Sequence, residues 1–357
     1  MVELRLDKLR ELAASAGADT CLVSKPANLH YFSGFRGDDS YLVITAENCF
    51  IVTDSRYTEQ AAAEAPLFIV AKQETGLLSA VAEVLKKVGA RKIVAEGKYM
   101  CHDDFIRLKE LYSDGEYRSF SPDSLRLIKD STEIAFIRKA CDIADRAFAD
   151  ILAFIKPGRR EYEIAARLEY LMRNYGSERA AFDTIAVSGK RGSLPHGRAS
   201  DKIIAVGEFL TLDFGAVYQG YHSDITRTVC VGRADSRQRE VYNAVLNAQK
   251  TALTAIKTGV SGKDADAAAR NYLAKHKLDK HFGHGLGHGV GLLIHEEPRL
   301  SVRSRLKELA AGMVVTDEPG VYIADWGGVR IEDTVLVTDN GGEALTHSPK
   351  DLIELNV

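Results

Sequence analysis

The hydrophobic pattern of this chain changes character once, near residue 120, and that change limits the folds open to it. Upstream, short apolar runs alternate with helix-spaced ones. Residues 2–15 carry Leu4, Leu9 and Leu12 near helical spacing, and residues 20–24 and 41–45 read as strands. A helix is expected over 54–64, a strand over 67–70, an amphipathic helix over 77–88, a strand over 92–95 and a helix over 104–111. Alternation of this kind predicts an α/β layered domain. A polar, proline-containing break follows at 120–131 (FSPDSLRLIKDS). Asp130 then caps a new helix, with Glu133 completing a capping box. That helix places Ile134, Ile137, Cys141, Ala144, Phe148, Ile151 and Ile155 mostly three to four residues apart, and Pro157-Gly158 is the expected stop. A second helix is expected over 161–175.

Beyond residue 184 the alternation is lost. Strands are expected at 184–187, 209–214, 225–231, 314–318 and 329–337, with helices only near 237–257 and 264–276, the second capped by Ser261. An α+β domain with an antiparallel sheet fits this order. The expected organisation is an α/β N-terminal domain over residues 1–120, a linker over 121–131 and an α+β domain over 132–357.

Charge removes several function classes. The formal net charge is −3, which argues against a basic surface for nucleic acid. No apolar run approaches the ~18 residues of a membrane span. The N-terminal stretch mixes acids with bases and has no apolar signal core, so no secretion signal is expected. Five cysteines (Cys21, Cys49, Cys101, Cys141 and Cys230) lie far apart without a C-x-x-C pair. They read as free thiols in a reducing cytoplasm rather than as a disulfide framework or thiolate zinc site.

Chemistry concentrates near the C-terminal end. His281, His284, His288 and His295 interleave with glycines in HFGHGLGHGVGLLIHEE. Glycine at alternate positions weakens a helix by ~1 kcal/mol each, so His284 and His288 do not form a helical zinc pair. Arg299 stands where a zincin motif needs histidine. Extended backbone closely approaching another element is the better reading. Asp213 ends one strand and Asp224 opens the next. A turn near Tyr218-Gln219 sets them opposite each other, an arrangement that needs a compensating cation. Glu318 ends an apolar strand, and Glu332 lies within another whose period-2 alternation groups Arg330, Glu332 and Thr334. A buried carboxylate is costly unless paired or bound to metal. Four carboxylates with one histidine suit two divalent ions, Mn²⁺ first, with Co²⁺ or Zn²⁺ as alternatives. Asp317, whose side chain points to the face opposite Glu318, is expected to be solvated or salt-bridged. Asp333 and Glu296 are expected to be solvated or ion-paired, His222 to pack or support, and His281 and His347 to stay out of the site. Trp326 either lines the cleft or caps a surface hairpin.

These motifs resemble the pita-bread metallopeptidases, specifically the Xaa-Pro peptidases (aminopeptidase P and prolidase). The resemblance covers almost the whole chain. NLHYFSGFRG at 28–37 and TDSRYTEQA at 53–61 look like that group's N-terminal domain. PHG at 195–197, then the segments at 211–228, 283–296, 316–322 and 328–334, follow its catalytic motifs in order. The resemblance implies a creatinase-like N-terminal domain before a pita-bread catalytic domain with a curved antiparallel sheet. It implies that Asp213 chelates one metal, Asp224 and Glu332 bridge two, and His288 and Glu318 hold the second. His196 and His295 would meet the scissile carbonyl or its oxyanion, and His284 would line the pocket. Glu318 would also shuttle a proton, and Arg330 would support Glu332. The implied reaction is attack of a metal-bridging hydroxide on the carbonyl before proline, in peptides or dipeptides, by a cytoplasmic homodimer. Dipeptidase and aminopeptidase activity both stay open. A methionine aminopeptidase-like or creatinase-like hydrolase, and a catalytically inactive binding module, rank below. The first lacks the long N-terminal domain, and the other two do not need all five ligands kept. An Asp at 317 departs from the family pattern, which has an apolar or small residue there.

Overall fold

The computed structural model describes residues 1–356. The chain forms two compact units, one ending at Arg126 and one beginning at Leu127.

The first unit runs α1 (Val2–Ser15), β1 (Thr20–Val23), α2 (Pro26–Ser33), β2 (Tyr41–Thr45), β3 (Cys49–Thr53), α3 (Thr58–Glu64), β4 (Ile69–Lys72), α4 (Leu77–Val88), β5 (Lys92–Ala95), α5 (His102–Leu111) and β6 (Glu116–Ser119). Its six strands form one sheet in the order β4-β3-β2-β1-β5-β6. The β1–β2 and β2–β3 pairs are antiparallel and the rest parallel. Three elements escape the sequence pattern. Most of α2 is buried, so no polar face marks a helical period. Every residue of β3 is buried, so it does not alternate. The polar edge strand β6 (EYRS) carries too little apolar signal. The expected linker is itself structured. Pro122–Arg126 is a 3₁₀ turn of the first unit, whose Asp123 accepts from Lys25 Nζ and Asn28 Nδ2, each at 2.9 Å. Lys129 belongs to the second unit, where its buried ammonium pairs with Glu296 at 2.8 Å.

The second unit opens with α6 (Ser131–Ile151) and α7 (Glu161–Asn174), followed by β7 (Ile185–Ser188), β8 (Phe209–Phe214), β9 (Val217–Tyr218), β10 (Tyr221–His222) and β11 (Ile225–Val231). Then come α8 (Ser236–Ala255), α9 (Gly262–Lys275), β12 (Gly287–Gly289), β13 (Glu296–Leu300), β14 (Val314–Asp317), β15 (Gly320–Ile323), β16 (Gly327–Arg330), β17 (Asp333–Val337), β18 (Gly342–Ala344) and β19 (Glu354–Leu355). One sheet has the order β19-β11-β8-β7 and another β13-β12-β14-β17-β18, with β9/β10 and β15/β16 as separate hairpins. All these pairings are antiparallel except β11 with β19. The α+β reading with an antiparallel sheet therefore holds.

Two apolar cores fix these layers. Phe148 and Ile151 of α6 and Ile164 and Leu168 of α7 pack on Leu210, Leu212 and Val229 of the first sheet. Val245 and Ala252 of α8 and Leu273 of α9 pack on Val315, Val335 and Val337 of the second. Each fully buried Ile, Leu, Val or Phe contributes roughly 1.5–3 kcal/mol, enough to hold the ligand-bearing strands in place. The Asp130 capping box forms as expected: its carboxylate accepts from Thr132 N–H and Glu133 N–H, and Glu133 accepts from Asp130 N–H.

Three expectations are corrected. First, α6 ends at Ile151, before Pro157, where Phe154 N–H closes a tighter i→i−3 turn onto Ile151 O. Second, the single strand expected over 329–337 is two strands in different sheets, β16 and β17, with Ile331-Glu332 at the crossing. Both halves are apolar and buried, so the hydrophobic pattern runs through the break. Third, the β8–β11 register pairs Asp213 with Thr226, not with Asp224. The turn falls at Gln219-Gly220, where both residues have positive φ (50° and 77°), as a two-residue type I′ hairpin requires. Moving a turn by one residue shifts the register by two, so the two aspartates are diagonal neighbours.

Candidate metal centre

Four structural segments bring the acids together. Asp213 comes from β8 and Asp224 from the β10–β11 junction. Glu318 follows β14, and Glu332 sits at the crossing from β16 to β17. Asp213, Asp224 and Glu332 each present a carboxylate oxygen, and these oxygens lie within 4.8 Å of one another. His288 Nε2 is 3.3 Å from Glu318 Oε1 and 3.6 Å from Asp224 Oδ2. His288 is carried by the extended β12, as its flanking glycines suggest. A Cβ at Gly287 would collide with Thr316 O, and one at Gly289 with Glu297 O. Helix α9 holds the approach to this strand: buried Asp266 accepts from Leu286 N–H at 3.0 Å, and Arg270 donates to His284 O at 2.8 Å.

A cavity of about 520 Å³ opens onto this cluster. All nine residues singled out from the sequence line it: Asp213, Asp224, His288, Glu318, Glu332, His196, His284, His295 and Arg330. His284 Nδ1 is 3.9 Å from Glu318 Oε2, and the His295 ring makes an edge contact with His288 at 4.3 Å between centroids. Arg330 hydrogen bonds to Asp213 through Nη2, so its direct carboxylate partner is Asp213 rather than Glu332.

Several supporting residues were not assigned this role from the sequence. Thr226 Oγ1 donates to Glu332 Oε2 at 2.6 Å and accepts from Arg330 Nε at 3.0 Å. Thr316 Oγ1 donates to Glu318 Oε1 at 3.0 Å and accepts from His288 N–H at 3.0 Å. Thr334 Oγ1 accepts from Asp224 N–H at 3.1 Å and donates to Asp224 O at 2.8 Å. Tyr322 Oη accepts from Arg330 Nη1 at 2.8 Å and lies 2.8 Å from His284 Nε2. Threonine is common in strands for packing reasons, so its type alone did not mark these positions. Strand parity could have found Thr334, and did group it with Glu332. Phe182, Asp183, Ile294 and Arg299 are among the other residues of the cavity wall.

The electrostatics call for a cation. Burial, with Asp213 and Glu318 adding, holds the Asp224 carboxyl well above the ordinary range. Burial, with Asp224 and Glu318 adding, does the same to Glu332. Burial pushes Glu318 up to about 8, with Asp213 adding and Arg330 opposing. His288 is pushed down to about 3, first by burial and then by His295, so its imidazole is neutral and free to donate a lone pair. Asp213 Oδ1 is buried without a hydrogen-bond partner, although a native fold rarely leaves a carboxylate oxygen so. Crowded acids, a neutral imidazole and an orphaned oxygen fit divalent cations.

The remaining candidates fall outside the cavity. His222 is buried, with Nδ1 3.1 Å from Gly291 O and Nε2 3.3 Å from Arg179 Nη2. Neither His281 nor His347 lines the cavity. Trp326 lies in the turn between β15 and β16, edge-on to Phe209 at 6.2 Å with Arg237 over its ring. Glu296 and Asp333 are both ion-paired. The expectation for Asp317 is corrected. It is fully buried, paired in register with Asp333, and its Oδ2 accepts from Gln249 Nε2 at 3.0 Å. Parity placed it correctly on the face away from the metal side, but β14 and β17 are covered there by α8, so that face is core. Gln249 Nε2 also donates to Asp333 Oδ2 at 3.0 Å. Asp333 is held below its usual range: burial raises it, and Arg227 and Lys350 outweigh the burial.

An α+β layer of antiparallel sheets carrying a carboxylate–histidine centre in a peptide-sized cavity defines a metallopeptidase. Residues 135–339 match the model of metallopeptidase family M24, and residues 5–128 match the creatinase/prolidase N-terminal domain. The chain belongs to metallopeptidase family M24. It is 41% identical over 354 residues to an Xaa-Pro dipeptidase from Pyrococcus furiosus, covering 98% of this chain and 99% of that one. The structure of an Xaa-Pro dipeptidase from Bacillus anthracis superposes with a TM-score of 0.97 at 41% identity, covering 99% and 100% of the two chains. That of an X-Pro aminopeptidase from Thermotoga maritima superposes with a TM-score of 0.92 at 37% identity, covering 98% and 99%.

Proposed function

We propose that this protein is a two-metal exopeptidase that hydrolyses the Xaa-Pro bond at the N-terminus of peptides or in dipeptides. The observation that carries this reading is the meeting of Asp213, whose Oδ1 has no hydrogen-bond partner, with Asp224 and Glu332, with His288 and Glu318 alongside. In this reading Asp213 would hold one ion, His288 and Glu318 the other, and Asp224 and Glu332 would serve both. Four carboxylates balance two divalent ions in charge, and an oxygen-rich set with one imidazole favours Mn²⁺. The Xaa-Pro specificity is supported by full-length similarity to proteins bearing that name. A homodimer is part of the same reading. A cytoplasmic site of action is supported by five unpaired cysteines, of which Cys101 is exposed. No helix among the described residues is long and apolar enough to cross a membrane. The domain boundary is proposed at 121–131.

Bound divalent ions supply Lewis acidity and lower the pKa of the attacking water. The chain's own groups do the rest. Glu318 takes the water's proton and delivers it to the nitrogen that leaves as the amine of proline. His196 and His295 donate to the oxygen of the scissile carbonyl as it gains negative charge. His284 lines the pocket, and Arg330 restrains Asp213 and the Thr226–Glu332 pair, keeping the acids where the charge develops. Ordinary peptidases that bond the leaving N–H are disfavoured at proline, which has none.

A length series tests the substrate class. Chelator-stripped enzyme is expected to be inactive, and Mn²⁺ is expected to restore cleavage of Xaa-Pro, Xaa-Pro-Xaa or longer peptides. Cleavage confined to the dipeptide assigns a prolidase, and cleavage of longer chains an aminopeptidase P. Full activity in metal-free protein refutes the reading. The His295→Ala variant is expected to keep its metal content while kcat drops on the order of 10²-fold, as on loss of one oxyanion donor. Unchanged kinetics removes His295 from the mechanism.

A further inference from the structure

The loop that carries His196 into the cavity has no regular structure between residues 194 and 203, and His196 at its tip is exposed. A histidine so placed needs something rigid behind it to act on a substrate carbonyl. We infer that Glu161, the first residue of α7, is a positioning residue that holds the His196 loop in its working geometry.

Glu161 is fully buried, yet it lies outside the cavity wall and takes no part in the mechanism above. Its carboxylate gathers both ends of the loop. On the near side, Oε1 accepts from Ser188 N–H at 2.8 Å and Ser188 Oγ at 3.0 Å, and Oε2 accepts from Arg191 Nε at 3.0 Å. On the far side, Oε2 accepts from Ser200 Oγ at 2.7 Å and Ser200 N–H at 3.2 Å. Arg191 extends the clamp: its Nη2 donates to Arg198 O at 2.6 Å, two residues beyond His196. The backbone of α7 adds two more ties, Glu161 N–H to Lys202 O at 3.1 Å and Tyr162 N–H to Ser200 O at 3.0 Å. One buried anion thus closes the loop at 188, 191 and 200, leaving only the segment bearing Pro195, His196 and Arg198 to reach the cavity. Hydrogen bonds to an ionised, buried acceptor are the stronger kind, and a neutral amide cannot accept from all five donors. Arg191 would lose its only buried carboxylate partner. The expected consequence is a His196 ring that samples positions away from the substrate, and small misplacements at a reacting centre cost up to about 10²-fold in rate.

This inference rests on the reading of His196 as a group acting on substrate, and a double-mutant cycle separates the two. Glu161→Gln, His196→Ala and the double variant are prepared in the full chain, loaded with Mn²⁺ and assayed on one Xaa-Pro substrate, with metal content measured in each. Glu161→Gln is expected to lower kcat about 10–100-fold with KM changed far less and metal content unchanged. In the His196→Ala background the same substitution is expected to change kcat less than threefold, because the group it positions is gone. Hydrogen exchange should rise in residues 189–203 and nowhere else. If Glu161→Gln lowers kcat equally in both backgrounds, or sheds metal, the positioning role is overturned. If His196→Ala alone is as active as the parent, the assignment of His196 falls and this inference falls with it. Should Glu161→Gln not fold, Ser200→Ala, which removes a single donor, is put through the same cycle, with a smaller loss expected and the same criterion.

Discussion

The Asp224→Asn and Glu332→Gln enzymes are expected to lose at least one metal ion per chain and to turn over on the order of a thousandfold more slowly. Each substitution keeps the side-chain shape and removes one negative charge from a position proposed to bridge two cations. Metal assistance is worth several kcal/mol of transition-state stabilisation, and each 1.4 kcal/mol is a factor of ten. The variants also carry a stability signature that kinetics cannot mimic. Without metal, Asp224 and Glu332 crowd each other, Asp213 and Glu318 in a buried cluster. Neutralising one acid relieves that repulsion, so the metal-free variants should melt a few degrees above the metal-free parent. With Mn²⁺ added the order reverses, because only the parent gains the full binding energy. Elemental analysis and paired melting curves measure both effects. Two ions retained in either variant would remove its bridging role.

Arg227→Met is expected to destabilise the second unit by about 3–5 kcal/mol, the usual cost of removing one partner of a buried ion pair. Arg227 is among the largest fully buried side chains and bonds to the carbonyls of Thr226 and Glu332 beside the carboxylate cluster. Its Nη2 pairs with Asp333 Oδ1 at 2.8 Å and donates to Ser348 O at 2.8 Å, while Nη1 donates to Thr226 O at 3.0 Å and to Glu332 O. It therefore ties β11, the Glu332 crossing and the C-terminal segment into one piece. Its loss leaves Asp333 with Lys350, Gln249 and Thr346 but takes a donor from the carbonyls of Thr226, Glu332, Ser348 and Pro349. Arg227→Lys should recover little, since a single ammonium cannot span this fork of acceptors. A denaturant midpoint within 0.5 kcal/mol of the parent would show that the pocket rehydrates or repacks without cost.

Much of this molecule could be read from local chemistry, and several of the misses share a cause. The ends of β8 and β11 were placed correctly because polar residues and glycines flank apolar runs there. The capping box at Asp130 and the Ser261 cap on Asp264 N–H follow from three-residue spacing alone. The helix α2 and the strand β3 were missed because they are buried almost all round, which erases the periodicity that betrays a surface element. The break at Ile331-Glu332 was invisible for the same reason: β16 and β17 are apolar on both sides of it. Parity along one continuous strand is thus not what brings Arg330 and Glu332 to the same cavity. The chain changes sheets between them, and Glu332 N–H bonds to Thr226 O at 3.1 Å in β11.

Asp317 shows the limit most clearly. Period-2 alternation places it opposite Glu318, and local chemistry then sends an aspartate to water. Helix α8 instead covers that face and brings Gln249 to bridge Asp317 and Asp333. The residue order, read together with its resemblance to a known family, singled out nine side chains that the folded chain brings to one cavity. Which oxygen faces which nitrogen, that Arg330 grips Asp213, and that Glu161 secures a loop 35 residues downstream came only from the folded chain. Those contacts join segments far apart in the chain, and their geometry is set by how sheets and helices stack, a property no local pattern encodes.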